Sequence, residues 1–274
     1  MRQLLSKLKL IAIRFYYSHV PVFKTLTEGN GIVVSITSYP ARFDKIYSSL
    51  NSAFRQSVRP EKIVLYLDED VDKVALPKKV LKLQKKGLVI LNRPENIKPH
   101  KKYYYALQEY RDKLVVTFDD DMIYRTDTIE LLMAKHKQYP NCVVSRRVHR
   151  IITDAQGKVA KYSDWEFECN TIVEPSHNVC ALGIGGVLYP AQIFPEETFD
   201  LSLIKKLSLT NDDIWLKGIE VISNIPVVKT DSTKQYPWPV EDTQENALMN
   251  LNYFGENNDI CMSNVCNYFK INFN

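Results

Sequence analysis

Leu114-Val115-Val116-Thr117-Phe118, followed at once by Asp119-Asp120-Asp121, is the stretch that decides the fold. Five apolar or β-branched residues in a row read as a strand buried on both faces. Three consecutive carboxylates at its end repel one another, a costly arrangement unless cations share it. Hard divalent cations such as Mn²⁺ or Mg²⁺ take carboxylate oxygens, and a diphosphate supplies further oxygen ligands. Asp119 and Asp121 fall on the same side of an extended chain, with Asp120 on the other, so the first and third acids are the expected metal ligands. The competing reading is a helix start whose acids complement the dipole.

Outward from this point the pattern repeats. Ile32-Val33-Val34-Ser35-Ile36 is a short buried strand closed by Thr37-Ser38-Tyr39-Pro40, and Ile46, Leu50 and Phe54 mark a helix reaching Ser57. Lys62 to Leu67 is a second strand, ending in Asp68-Glu69-Asp70. A helix from Leu76-Pro77 to Lys86 stops at Gly87, Leu88 to Leu91 is a third strand, and Tyr103 to Tyr110 is helical by spacing. Strand-helix alternation of this kind specifies an α/β fold with a mostly parallel sheet flanked by helices. Ligands of such sheets bind outside the carboxyl ends of the strands, which gathers Thr37-Ser38, Asp68 and the Asp119 cluster at one crevice. Farther on, Val143-Val144 suggests a strand. Arg150–Thr153 and Val159–Tyr162 read as two strands turning at Gly157. Gly183-Ile184-Gly185-Gly186 is a flexible loop before Val187-Leu188-Tyr189-Pro190, and Asn211-Asp212-Asp213 looks like a cap for a helix over Ile214–Ile219. The expected organisation is an N-terminal basic amphipathic helix (1–27), one α/β domain (28–230) and a polar C-terminal extension (231–274).

Bulk properties narrow the function. The 274 residues are 45% hydrophobic and 25% charged, an ordinary globular composition. A net charge of +4 without a basic stripe argues against nucleic acid as a partner. Five scattered cysteines read as reduced thiols of a cytoplasmic protein, with no zinc-site spacing. No apolar run reaches membrane-spanning length. Leu4, Leu5, Leu8, Ile11 and Phe15 share a helical face within residues 1–18, beside Arg2, Lys7, Lys9 and Arg14. That pattern suits peripheral contact with an anionic membrane, or packing on the domain or a second subunit.

The ordered stretches VVSITSYPARF, IVLYLDED, PHKKYYYAL, VVTFDDDMIY, GIGGVLYP and TNDDIWL, from residue 33 to 216, resemble GT-A glycosyltransferases. They look closest to inverting family-2-like enzymes of bacterial surface polysaccharide (capsule or lipopolysaccharide) synthesis. The resemblance implies a metal-dependent transferase; the helix of residues 1–18, which lies outside the resemblance, is what would set a cytoplasmic enzyme at the inner face of the membrane. The transferase would use a nucleotide-diphosphate sugar, UDP-linked, and a hydroxyl of a glycan or lipid-linked acceptor. The resemblance places Thr37, Ser38, Tyr39 and Arg42 around the nucleotide, Asp68 at the base or ribose, and His100-Lys101-Lys102 at the nucleotide or its phosphates, Lys102 first among them. Asp119 and Asp121 would hold Mn²⁺ or Mg²⁺, with Asp120 toward the sugar. Gly185 and Gly186 would give close backbone approach, and Asp213 or Asp212 would be the catalytic base. A carboxylate that takes a proton at neutral pH needs its pKa raised, and the adjacent pair offers a means; plain helix capping is the alternative for both acids.

Other readings stay open. Arg146–Arg150 touches phosphate or is a solvated strand; Trp165 and Trp215 stack on sugars or fill the core. Trp238, between prolines, is expected to be exposed, toward acceptor or membrane. His177 is a candidate third metal ligand, though a lone His is more often structural. A nucleotidyltransferase would want a glycine-rich loop where Thr37–Arg42 stands. A non-catalytic sugar- or nucleotide-binding protein would not need both acid groups, and a retaining mechanism would differ in product anomer.

Overall fold

The computed structural model describes residues 2–23, 25–231, 236–241, 243 and 257–273. Within them the apolar runs become strands: β1 (Ile32–Thr37), β2 (Lys62–Asp68), β3 (Leu88–Arg93), β4 (Leu114–Phe118), β6 (Val143–Ser145), β9 (Val187–Pro190) and β10 (Val227–Lys229). Two short strands, β7 (Val148–Arg150) and β8 (Val179–Ala181), pair with each other, and β5 (Met122–Ile123) pairs with β11 (Trp238–Pro239). The helices are α1 (Arg2–His19), α2 (Tyr47–Phe54), α3 (Lys78–Leu81), α4 (Lys101–Glu109), α5 (Thr128–Gln138), α6 (Leu201–Leu207), α7 (Asp212–Ile222) and α8 (Asn257–Phe269).

The main sheet runs β10-β6-β9-β4-β1-β2-β3, with only β9 antiparallel to its neighbours. Its strands are apolar throughout because helices cover both faces. Val33, Val64 and Val115 point into one core with Ala106, Leu107, Trp215 and Ile219. The alternate residues Val34, Ile63, Leu65 and Val116 point into the other with Ile46, Leu50, Phe54 and Ile129. β1 lies between β2 and β4, so the strand order reverses there and the carboxyl ends of β1 and β4 open a crevice. This is the α/β, mostly parallel sheet that the alternating pattern predicts.

Several local expectations need correction. The helix expected to Lys86 is one turn of α3 followed by a 3₁₀ segment, Lys82–Lys86, ended as expected by Gly87 at φ 108°. The two strands expected around Gly157 reduce to a single bridge, Thr153 to Val159; the strand before them pairs instead with β8. The Asp154 carboxylate accepts from the Gln156 and Lys158 amides, so a side chain takes over bonds that a hairpin ladder would have made.

The ends are part of the packing. α1 sets buried Tyr17 against Ile123 and Val240, and Asn51 donates to the Tyr17 and Val20 carbonyls. Residues 232–235, 242, 244–256 and 274 of the expected extension lie outside the described residues. The rest is built in. α8 sinks Cys261, Met262 and Val265 into the core beside Trp215. Trp238 is half-buried in β11 under the Arg125 guanidinium, 4.9 Å from the ring centre, rather than exposed.

Candidate functional site: a cleft joining two acid groups

A cleft of about 1030 Å³ opens where β1 and β4 end. Thr37, Ser38, Tyr39, Arg42, Asp68, Lys102, Asp119, Asp120, Asp121, Asp212 and Asp213 all line it. Strands and helix starts drawn from across the chain therefore bring nearly all the expected residues to one place.

The extended alternation that would set Asp119 and Asp121 side by side ends with β4, because the chain turns at Asp120-Asp121. Asp120 does not point out toward a ligand. It is buried, accepting from Ser38 Oγ at 2.5 Å and from Arg42 Nη1 at 2.6 Å. The same guanidinium nitrogen reaches Asp121 Oδ2 at 3.0 Å. Pro40, first residue of the 3₁₀ turn Pro40–Arg42, presets the backbone that brings Arg42 there. Tyr39 stands exposed at the rim, with Arg42 5.4 Å from its ring centre. Thr37 Oγ1 donates to the Tyr66 carbonyl, 3.0 Å, which spends its hydroxyl on the neighbouring strand. Burial, then Asp119 and Asp120, push the Asp121 carboxyl up to about 7. Its neighbours' negative charge thus exceeds what Arg42 offsets.

α4 begins with two lysines, the wrong charge for a helix N-terminus. Both are buried and both are paired. Lys101 Nζ meets Asp68 Oδ1 at 2.5 Å, so Asp68 lies on the cleft wall already engaged. Lys102 Nζ meets Asp119 Oδ1 at 2.6 Å and Asp212 Oδ2 at 3.0 Å. Burial works against its charge, but Asp119, Asp212 and Asp213 overcome it and hold the ammonium well above its ordinary pKa. Lys102 is therefore a tie between the two acid groups. His100 faces away: it is 0% exposed, held by the Tyr103 hydroxyl and the Ser208 carbonyl, both at 2.8 Å.

At α7 the capping alternative fails for a structural reason: Asn211 does the capping. Its side chain accepts from the Ile214 amide at 3.0 Å and donates to Asn258 of α8 at 2.6 Å. Both aspartates are released for other work. Burial raises the pKa of Asp212, but Lys102 and then His100 outweigh it and the net direction is down. Burial and the Asp212 charge push Asp213 well above the usual carboxylate range. Asp213 Oδ1 accepts from the Gly183 amide at 3.0 Å.

The glycine loop meets the cleft through Gly183 and Ile184, not through the two later glycines. A Cβ at Gly185 would stand 2.7 Å from Arg147 Cβ, and one at Gly186, at φ +89°, would crowd Phe118 and Thr128 at 3.2 Å. Their smallness serves packing behind the wall. Of the basic run, Arg146 is buried beside Thr128, Arg147 lines the cleft paired with Glu168 at 2.6 Å, and Arg150 is exposed. Trp165 and Trp215 are core residues. His177 bonds Asn224 at 3.1 Å and is not among the cleft residues, which removes it as a third metal ligand. The sequence singles out neither Gly183 as the glycine that meets the cleft nor the Asn211–Asn258 link; Lys101, grouped there with His100 and Lys102, serves to hold Asp68.

Among the described residues no three His, Cys, Asp or Glu side chains gather to hold a metal by themselves. The carboxylates still fit a hard dication whose other ligands are diphosphate oxygens and water, since Asp119 and Asp121 line one cleft and each disfavours the other's charged form unless a cation joins them.

The sequence pattern of glycosyl transferase family 2 matches residues 33–183, more than half of the chain and the whole first side of this cleft. The chain belongs to glycosyl transferase family 2. Among solved structures it is similar to the mannosyltransferase PcManGT from Pyrobaculum calidifontis, in complex with GDP-Man and Mn²⁺. That match has a TM-score of 0.50 at 13% identity over 84% of this chain and 69% of the other. It is also similar to GalNAc-T7 with UDP, GalNAc and Mn²⁺, with a TM-score of 0.51 at 10% identity over 73% of this chain and 41% of that one. At such identities the likeness shows the fold, which is GT-A. No curated protein matches the chain in sequence. The family-2 assignment makes the chain a glycosyltransferase.

Proposed function

We propose that this family-2 enzyme transfers a sugar from a UDP-sugar to a hydroxyl of a glycan or lipid-linked acceptor, with inversion, in bacterial surface polysaccharide synthesis. The observation that carries the reading is the position of Lys102, shared between Asp119 at the end of β4 and Asp212 at the start of α7. It joins a diphosphate-side acid group to a proton-accepting one within a single cleft.

Asp119 and Asp121 would hold Mn²⁺ or Mg²⁺, which when bound neutralises the charge developing on the departing diphosphate. Tyr39 at the rim offers its ring to the base. Asp68, fixed by Lys101, offers its remaining carboxylate oxygen to the base or ribose. Asp120, locked by Ser38 and Arg42, keeps the loop in place. Asp213 takes the proton of the acceptor hydroxyl. Its raised pKa suits proton transfer at neutral pH, and Asp212, kept ionised by Lys102, maintains that rise. A carboxyl tuned to accept a proton favours direct displacement by the acceptor, hence inversion. The test is release of UDP from a panel of UDP-sugars with Mn²⁺, with the product anomer read by NMR. Slow hydrolysis or transfer with one donor supports the reading; no turnover with any donor contradicts it.

The family-2 domain is proposed to span 28–230, with the flanking helices as supports. We further place the enzyme in the cytoplasm, against the membrane. Among the described residues no helix is long and apolar enough to cross a bilayer. Leu5, Leu8, Ile11 and Phe15, however, form an exposed stripe on α1, a helix without a single acidic residue. Such a surface suits anionic lipid. Co-sedimentation with phosphatidylglycerol vesicles should be lost in L8E/I11E; retention by that variant would remove the membrane from the proposal.

A further inference from the structure

α2 reads Tyr-Ser-Ser-Leu-Asn-Ser-Ala-Phe, and all of its residues are buried. A helix enclosed on every side is ordinarily apolar, so its serines call for a reason, because a buried hydroxyl is costly unless it is bonded. Ser49 and Ser52, both 0% exposed, stand three apart and so share a face. Both reach the turn that carries the acids. Ser49 Oγ donates to the Asp119 carbonyl at 2.7 Å. Ser52 Oγ accepts from the Tyr124 amide at 3.0 Å and donates to the Ser49 carbonyl at 2.7 Å.

Tyr124 closes the arrangement. Its ring, fully buried, stacks on Phe118 with centres 3.6 Å apart and planes 5° from parallel. A Cβ at Gly186 would stand 3.2 Å from Phe118 and 3.4 Å from Tyr124, so that glycine leaves the pair its room. Held there, the phenol oxygen accepts from the Asp119 amide at 2.8 Å. Burial and then the Asp119 charge keep this phenol well above its ordinary pKa, hence neutral. The ladder of β4 stops just short of this point: pairing to β1 ends at Phe118 and pairing to β9 at Thr117. The N–H and C=O of Asp119 are therefore both taken by side chains, where the strands no longer reach. None of the three hydroxyl residues lines the cleft, so none is placed to touch a ligand.

Metal sites work only when a supporting shell holds the ligands to within about 0.5 Å of the productive geometry. We propose that Ser49 and Tyr124 are positioning residues for the metal-side acids: by clamping the Asp119 peptide they aim its carboxylate to share a divalent cation with Asp121. Ser52 holds Tyr124 in place, and Lys102 meets a carboxylate already set. This rests on the transferase reading and deepens it, since metal-dependent nucleotide binding is then tuned by hydroxyls outside the cleft.

Two measurements on the full chain test it. Without metal, hydrogen exchange at the Asp119 amide should quicken about fivefold in Y124F, which keeps the stacked ring and loses the bond. By calorimetry, the tightening of UDP binding by Mn²⁺ should fall about fivefold in S49A and in Y124F, while metal-free UDP affinity stays within about twofold. S48A, the same change one position away on α2, should keep the wild-type gain. Unchanged exchange in Y124F, a full gain in both clamp variants, or a gain that S48A loses as well would overturn the clamp and leave the transferase reading standing. A wild type that Mn²⁺ does not affect would instead strike the metal from that reading, and the positioning role with it.

Discussion

The two acid groups of the cleft are built on opposite plans. Asp119-Asp120-Asp121 follows a central strand, where Arg42 and Lys102 pair with the acids but burial and repulsion still push the Asp121 carboxyl up to about 7. Asp212-Asp213 opens a helix whose N-terminal cap is made by Asn211 and whose back is buttressed by α8. There the pair divides labour, one carboxylate held ionised by Lys102 and the other raised. On the proposed reading, the same residue type would serve cation binding at one site and proton transfer at the other. Environment sets the role, through the number of cations within reach and through burial.

Breaking the second group alone should have the largest effect. D213N is expected to lower kcat for transfer by about 10²–10⁴-fold, the usual contribution of a general base, while UDP-sugar affinity stays within a few-fold. Steady-state and equilibrium binding measurements on one preparation check both halves. Full transfer by D213N would move the base to Asp212 or elsewhere.

Cutting the tie between the groups comes next. K102M leaves Asp119 and Asp212 without their shared cation, and breaking such a buried pair costs about 3–5 kcal/mol. Urea unfolding should show that loss. A shift below about 1 kcal/mol would mean the two groups are independent.

A smaller effect should follow from loosening the support of α7. A Cβ at Gly218 would stand 2.3 Å from Val265 Cγ1 on α8, so G218A forces the helices apart. Overpacking of this kind costs about 1–3 kcal/mol, and a lowered Tm should be accompanied by reduced kcat with nucleotide binding kept.

The smallest effect separates the regions by pH. His100, which bonds the Ser208 carbonyl before α7, and His149 are both pushed down to about 4, first of all by burial. In the unfolded chain each titrates near about 6.5. Between those values the unfolded state binds more protons, so stability is intact above about 6.5 and falls as pH drops toward 4. The loss is on the order of 1 kcal/mol per histidine by pH 6. H149Q should flatten part of the slope of stability against pH. An unchanged slope would show that His149 keeps its proton equilibrium on folding.

The first group was far more legible in sequence than the second. Strands buried on both faces announce themselves as apolar runs, so β1, β2, β3 and β4 were readable nearly to the residue, and the acids after β4 stood out by contrast. What the sequence could not show is where the chain turns. The extended alternation stops at the turn through Asp120-Asp121, yet Asp119 is still the charge that acts most strongly on Asp121. The second group depends on contacts distant in sequence. Asn258 reaches Asn211 across 47 residues from a helix whose asparagine-rich sequence hid its periodicity. Gly183 rather than Gly185 or Gly186 meets the cleft, because the later two are consumed by packing against Arg147 and Phe118. Asn211 took the capping role that the neighbouring aspartates also fitted by type, and only geometry distinguishes the three.

The division of labour between the acid groups is tested most directly by titration calorimetry of UDP, with and without Mn²⁺, on wild type, D121N and D213N. The account predicts that Mn²⁺ tightens UDP binding at least about tenfold (about 1.4 kcal/mol) in wild type and D213N, and that D121N abolishes the gain. A Mn²⁺-dependent gain that survives in D121N, or disappears in D213N, would contradict it.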